Sequence, residues 1–210
     1  TITDSISVAN ADTLITTQGI TGTITATITE QDADTLATID ANNNGAFTIT
    51  VARTTEADPD NNVDAVESVA ASDLTTIKAL TTEAITVTSD TITGSLADVT
   101  GEFITANATT TTFVYNSDVA LTITAATTID VDELNAFTDL TTGTITATMD
   151  DAAVSGFFDD DGNLDINTGN ALTINLTNHT DDGADSNVDV TDLSTLLAAT
   201  TETVTFTLDA

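Results

Sequence analysis

Oxygen ligands are concentrated in three stretches of this chain, in the first two largely at every second position. The first holds Asp58, Asp60, Asn62, Asp64 and Glu67. The second holds Asp159, Asp161, Asn163 and Asp165, and the third Asp181, Asp185, Asn187, Asp189 and Asp192. Carboxylate and amide oxygens alternating along a tight turn can converge on a hard cation, and Ca²⁺ takes six to eight of them. None of the three is an EF-hand, because the sixth-position Gly and the bidentate Glu at position twelve are missing. Asp, Asn and Gly are also the usual residues of solvated turns. The expectation is structural Ca²⁺ bound at one or more of these loops, and no other cofactor.

The composition supports a cation-linked protein. Thirty-four acidic residues face only Arg53 and Lys78, giving a formal net charge of −32. Such a chain repels nucleic acid, which is gripped by Lys and Arg, and anionic membrane surfaces. It also repels itself unless salt or bound ions relieve the field. Hydrophobic residues make up 40% of the sequence, too many for a disordered acidic tail. No apolar run reaches the roughly 18 residues of a membrane span, so membrane insertion is not expected.

Several kinds of chemistry have no residues to carry them. Cysteine is absent and His179 is the only histidine, so disulfides and thiolate or multi-histidine zinc sites are excluded. No glycine-rich phosphate loop follows a strand. Paired carboxylates could serve a glycosidase, but there is no Trp and Tyr115 is the only Tyr, so a sugar would find few aromatic platforms. An enzyme is not expected. Asn107, Asn175 and Asn178 begin glycosylation sequons, so glycosylation is possible in this Thr-rich chain.

The elements that hold the acidic loops follow a period. Leu14, Leu74, Leu134 and Leu193 lie 60, 60 and 59 residues apart. After each comes a Thr-alternating run: 23–28, 85–88, 144–149 and 203–208. Regular spacing of this kind marks a repeat architecture. Leu74, Ile77 and Leu80, like Leu134, Phe137 and Leu140, sit at helical spacing, and Ser72 or Asp73 is placed to cap the second helix. The Thr runs place apolar residues on one strand face and hydroxyls on the other. Shorter amphipathic stretches at 34–39, 95–99 and 154–158 lead to further strands at 47–51, 112–115 and 172–176.

The fold expected is mainly β with short helices, a β/α solenoid of parallel strands with a period of about 60 residues. Its units are approximately 1–63, 64–126, 127–186 and a partial 187–210, in one continuous array. The alternative is tandem small β-sandwich modules with antiparallel hairpins, such as 112–124 turning at Asn116, Ser117 and Asp118. Rows of Thr can order water, as on the surfaces of ice-binding solenoids. The strongest Thr strands recur only every 60 residues or so, and a dense array is not expected. Both ends of the sequence read as unfinished repeats, which suggests stacking on neighbouring subunits or on further repeats.

Residues 68–77, 85–88 and 92–99 carry a resemblance. Ser68, Asp73, Leu74, Ile77, the alternating run from Ile85 to Thr88, and Ile92 to Val99 resemble the Thr/Asp-rich repeat arrays of large bacterial extracellular surface proteins, of the cyanobacterial and marine type. The resemblance implies secretion, display at the cell surface, Ca²⁺ dependence and a structural role in S-layers, adhesins or filaments. The function expected is a building block of an extracellular filament, sheath or S-layer that self-associates and is rigidified by calcium. The alternative is a repeat module of a calcium-dependent surface adhesin.

Overall fold

A computed structural model describes residues 2–17, 23–39, 45–53, 67–105, 113–124, 128–150, 154–159, 163–177, 190–202 and 204–207. The fold is mixed α/β, with parallel strands in two sheets and, among the described residues, six short α-helices. The chain forms two compact units, Thr1–Val119 and Ala120–Ala210.

The first unit runs β1 (Ser5–Ile6), α1 (Val8–Thr17), β2 (Ile24–Ile28), α2 (Ala33–Leu36), β3 (Gly45–Val51), β4 (Ser68–Ala70), α3 (Ala71–Lys78), β5 (Ile85–Val87), β6 (Thr91–Gly94) and α4 (Leu96–Val99). A π-helical turn at Thr100–Thr105 and β7 (Phe113–Tyr115) complete it. Its main sheet has the order β1-β2-β3-β5-β7. The second ladder of this unit pairs β4 with β6. From β3 onward the chain therefore alternates between the two ladders. Each new strand joins beside its predecessor in that ladder, and every pairing is parallel.

The second unit runs β8 (Ala120–Ile123), β9 (Thr128–Ile129), α5 (Val131–Thr138), β10 (Ile145–Met149), a 3₁₀ turn at Val154–Phe157, β11 (Ala171–Thr177), α6 (Val190–Ala199) and β12 (Val204–Thr207). Strands β8, β10, β11 and β12 again add in chain order, with β9 also on β10, all parallel.

Parallel pairing requires a crossover between partners, and short helices supply many of these. Period two puts Ile24, Ala26 and Ile28 of β2 inside and Thr25 and Thr27 outside. Strand β10 repeats the pattern with Ile145, Ala147 and Met149 inside. Leu74, Ile77 and Leu80 are buried together with Phe47, Ile49, Ile85 and Ile92 in the first unit; Leu134, Phe137, Leu172, Ile174 and Leu196 are buried in the second. Leu14, Leu140 and Leu193 are half-buried.

Two local expectations need correction. Helix α3 begins at Ala71 and has Ala70 at its N-cap with no side-chain bond, so neither Ser72 nor Asp73 caps it. Asp73 lies instead in the first turn, where its charge opposes the exposed amides. The hairpin at 112–124 does not form. Strand β7 pairs with β5 and β8 pairs with β10, both parallel.

A hydroxyl holds the ladder together where two strands begin. The Thr81 Oγ1 accepts from Phe47 N at 2.9 Å and donates to Phe47 O at 2.7 Å. Thr200 Oγ1 does the same with Leu172 N and O, both at 2.8 Å. Each Thr stands four residues before a strand residue, Ile85 or Val204. Each grips the residue two before that strand residue's partner, Ile49 or Ile174. The side chain thus fills one rung that no backbone supplies. Thr81, Thr141 and Thr200 also each accept from the N–H two residues on, closing the turn after the helix.

Thr200→Val keeps the shape but leaves both Leu172 groups without this partner, so it should cost about 1–3 kcal/mol. The exposed helix residue Thr195 bonds only within its own helix, and Thr195→Val should shift the urea midpoint little. Equal midpoints for the two variants would contradict the clamp.

Candidate functional site

The described site residues of the acidic loops fall into different settings. In the second loop, Phe158 and Leu164 form an antiparallel bridge, and Asp159 N donates to Asn163 O at 2.9 Å. The Asp159 carboxylate accepts from Asn163 N at 2.8 Å and from Asn163 Nδ2 at 3.1 and 3.3 Å. The structure brings these two residues together. They are joined by hydrogen bonds to each other, with the amide nitrogen of Asn163 turned to the carboxylate. A shared cation would require that amide to rotate and present its oxygen. Asp165 is exposed beyond this pair, its N–H on Phe157 O at 2.8 Å and its carbonyl accepting from Asn135 Nδ2 at 2.8 Å.

Glu67, from the first loop, forms an ion pair with Arg53 at 2.8 Å. Its carbonyl gathers Asp90 N and Thr91 N at 3.1 Å and Ser89 Oγ at 2.8 Å. Asp192, from the third loop, is half-buried in the first turn of α6. Asp58, Asp60, Asn62, Asp64, Asp161, Asp181, Asp185, Asn187 and Asp189 lie outside the described residues, as do His179, Asn107 and Asn178. Asn175 lies in β11, opposite Thr205.

A cavity of about 290 Å³ in the second unit is lined by four aspartates, Asp130, Asp132, Asp150 and Asp165. Its floor includes Ile129, Met149 and Phe157, all fully buried. Parallel pairing builds it. Met149 stands opposite Ile129 in the ladder, so Asp150 and Asp130, one residue further along each chain, emerge side by side. Asp150 N donates to Ile129 O at 2.8 Å, and Thr128 Oγ1 donates to the Asp150 carboxylate. Asp130 closes a capping box on α5: its carboxylate accepts from Glu133 N at 2.8 Å, and Glu133 Oε2 accepts from Asp130 N at 3.0 Å.

The lining has no nucleophile beside a base. It offers negative charge over an apolar floor, which suits a hydrated cation or a small organic cation. Among the described residues, no three carboxylate or imidazole groups lie close enough together to hold a metal ion directly. Asp130, Asp132 and Asp150 were not singled out from the sequence. The signal available was an acid within two residues of the end of each Thr-alternating run, at Glu30, Asp90, Asp150 and Asp209.

The two basic residues are both engaged inside the first unit. Arg53 holds Glu67, and Lys78 Nζ lies 3.5 Å from Glu102 Oε2. Glu102 is a buried carboxylate in the π-helical turn, and Thr75 Oγ1 donates to its other oxygen at 2.7 Å. Lys78 reaches it from the last turn of α3, the end that favours positive charge. No helix among the described residues is long and apolar enough to cross a membrane.

Compared with protein-family models, curated proteins and solved structures, the chain shows no match.

Removing Lys78 would leave the buried Glu102 carboxylate without its cation. Because the lysine itself is partly exposed, Lys78→Met should cost about 1–3 kcal/mol, between the values for exposed and buried pairs. The double variant Lys78→Met/Glu102→Gln should recover much of that loss in urea unfolding. Strictly additive costs would show that the pair is uncoupled.

Proposed function

We propose that this chain is a secreted, non-catalytic structural protein, a building block of an extracellular filament, sheath or S-layer. It self-associates, and Ca²⁺ rigidifies it. One observation carries the reading: within each unit, successive strands join their ladders in chain order and in parallel. A chain that adds strands in this way is a β/α solenoid in the making, with a period near 60 residues. Such an assembly lengthens simply by repeating the step. The outermost strands of a ladder present main-chain donors and acceptors that a further strand can take up, from adjoining chain or from a second copy.

Charge supplies the second half of the mechanism. With Arg53 and Lys78 held in internal ion pairs, neutralisation of the remaining acid falls to cations from outside. Copies at −32 each repel until those ions are bound or screened. Divalent ions at the acidic loops and at the carboxylate-lined cavity would therefore both stiffen a unit and allow units to meet. A surface adhesin module is the second reading. The cavity over Met149 and Phe157 favours it, since a cationic group of a ligand would fit there.

Negative-stain electron microscopy of the purified chain tests the first reading. Filaments or lattices should form in millimolar Ca²⁺ and come apart in chelator. Monodisperse particles in both conditions would contradict self-assembly.

A further inference from the structure

The repeat puts equivalent residues on its helices, and they are not equally covered. Leu74 of α3 and Leu134 of α5 are fully buried, whereas their counterparts Leu14 of α1 and Leu193 of α6 are only half-buried. One position after the anchor, α3 and α5 carry Thr75 and Asn135, but α1 carries Ile15, which is half-buried. Four positions after it, α3 and α5 carry Lys78 and Thr138, but α6 carries Leu197, which is 51% exposed. The first and last helices thus each present an apolar residue where α3 and α5 are polar.

The strands beside these two helices have main chain to spare. Along a parallel strand, alternate residues turn their N–H and C=O to opposite sides. Ile2 N donates to Thr25 O and Thr29 N donates to Ile6 O, so the even-numbered residues of this segment face β2. Thr3 and Ser5 turn their peptide groups away from it, and no strand among the described residues pairs with that side of β1. Near β12, Thr201 N donates to Asn170 O. The ladder then continues in the same register, with Val204 opposite Ile174 and Phe206 opposite Leu176. The odd-numbered residues therefore face β11. Val204 and Phe206 turn their peptide groups outward, where again no described strand pairs with them.

The same structure limits what completes these two edges. Every named strand pair is parallel. A two-fold dimer through either edge would pair two copies of one strand antiparallel, which does not continue the ladder. Within each unit the repeated step sets a new parallel strand on the outer side of its predecessor. Successive helices then pack on one another, as α2 on α3 and α3 on α4. The β1 edge of a second copy, set on β12, repeats that step. It brings α1, with Leu14 and Ile15, as the next helix after α6, with Leu193 and Leu197. The residues of β1 and β12 are all uncharged, so pairing these strands desolvates no carboxylate of their own.

We infer that copies of this chain join head to tail. The β12 edge and the Leu193 and Leu197 face of one copy receive the β1 edge and the Leu14 and Ile15 face of a second copy. The inference rests on the self-association proposed above and specifies its surfaces. Because the two surfaces differ, each joined pair still has one free surface of each kind, and growth continues.

The test blocks one end at a time. Ser5→Pro removes an outward N–H from β1 and spares the bonds to β2, as proline on an edge strand can. Val204→Pro does the same at β12, and Leu197→Asp puts a charge on α6 at a position already exposed. In millimolar Ca²⁺, sedimentation of the unaltered chain should show growth well beyond two copies. Each variant that keeps the unaltered chain's circular dichroism and melting temperature should stay monomeric alone. An equimolar mixture of Ser5→Pro with either tail variant should give particles of two copies and no larger, because one free head meets one free tail. A folded variant that grows like the unaltered chain overturns the head-to-tail join, and so does a mixture that stays monomeric or grows without limit. Self-association itself survives those outcomes. An unaltered chain that stays monomeric overturns self-association and the join together.

Discussion

Parallel strand pairing is the constraint from which the rest of this structure follows. A strand cannot turn directly into a parallel partner, so the chain must leave the sheet, cross and return. That requirement spaces the strands and places a short helix or turn in many of the gaps. The strands alternate between a buried and a wet side. The apolar side of the alternation, Ile24, Ile49, Ile85, Ile145 and Ile174, is buried. The hydroxyl side stays wet. Parallel pairing also aligns like positions in neighbouring strands, which sets Asp130 beside Asp150 at the cavity.

Threonine is used here in two opposite ways. On strands it is a neutral, β-branched surface residue. After a helix it acts as a piece of backbone: the hydroxyls of Thr81 and Thr200 donate and accept across the gap as a peptide group would. A short strand such as β5, only three residues long, gains an additional rung without additional ordered backbone. Asn170 contributes in the same manner, its buried Oδ1 accepting from Ile145 N at 3.0 Å. The acid is segregated from all of this. It caps helices at Asp32 and Asp130, and at Glu67 and Glu102 it pairs with the two cations.

Much of the fold was legible because its signals are local and repeated. The alternation from Ile145 to Met149 and the helical spacing of Leu134 and Phe137 each specify an element within a few residues, and both elements stand where they were expected. Ser95 caps α4 at the start of the stretch read as amphipathic. The capping of α3 was misjudged because a helix can begin without a side-chain cap when packing holds it, as burial of Ala71 and Leu74 does. The clamp at Thr81 was invisible because a Thr-Thr pair after a helix reads as an ordinary turn; its partner, Phe47, is 34 residues away. The cavity was missed for the same reason. Its carboxylates come from positions 130, 132, 150 and 165, and only strand register brings them together. The alternation in Asp159, Asn163 and Asp165 was real as a pattern, but two of those residues satisfy each other.

The central claim is that a chain of net charge −32, with its two cations spoken for, depends on bound divalent ions for its rigidity. Thermal unfolding of the purified chain in a CaCl₂ titration, set against NaCl at matched ionic strength, addresses it most directly. The account predicts a melting temperature that climbs with Ca²⁺ well beyond the matched NaCl curve and levels off, because ions that bind only the folded state stabilise by mass action. Two superimposed curves would mean that calcium only screens charge, and would contradict the claim.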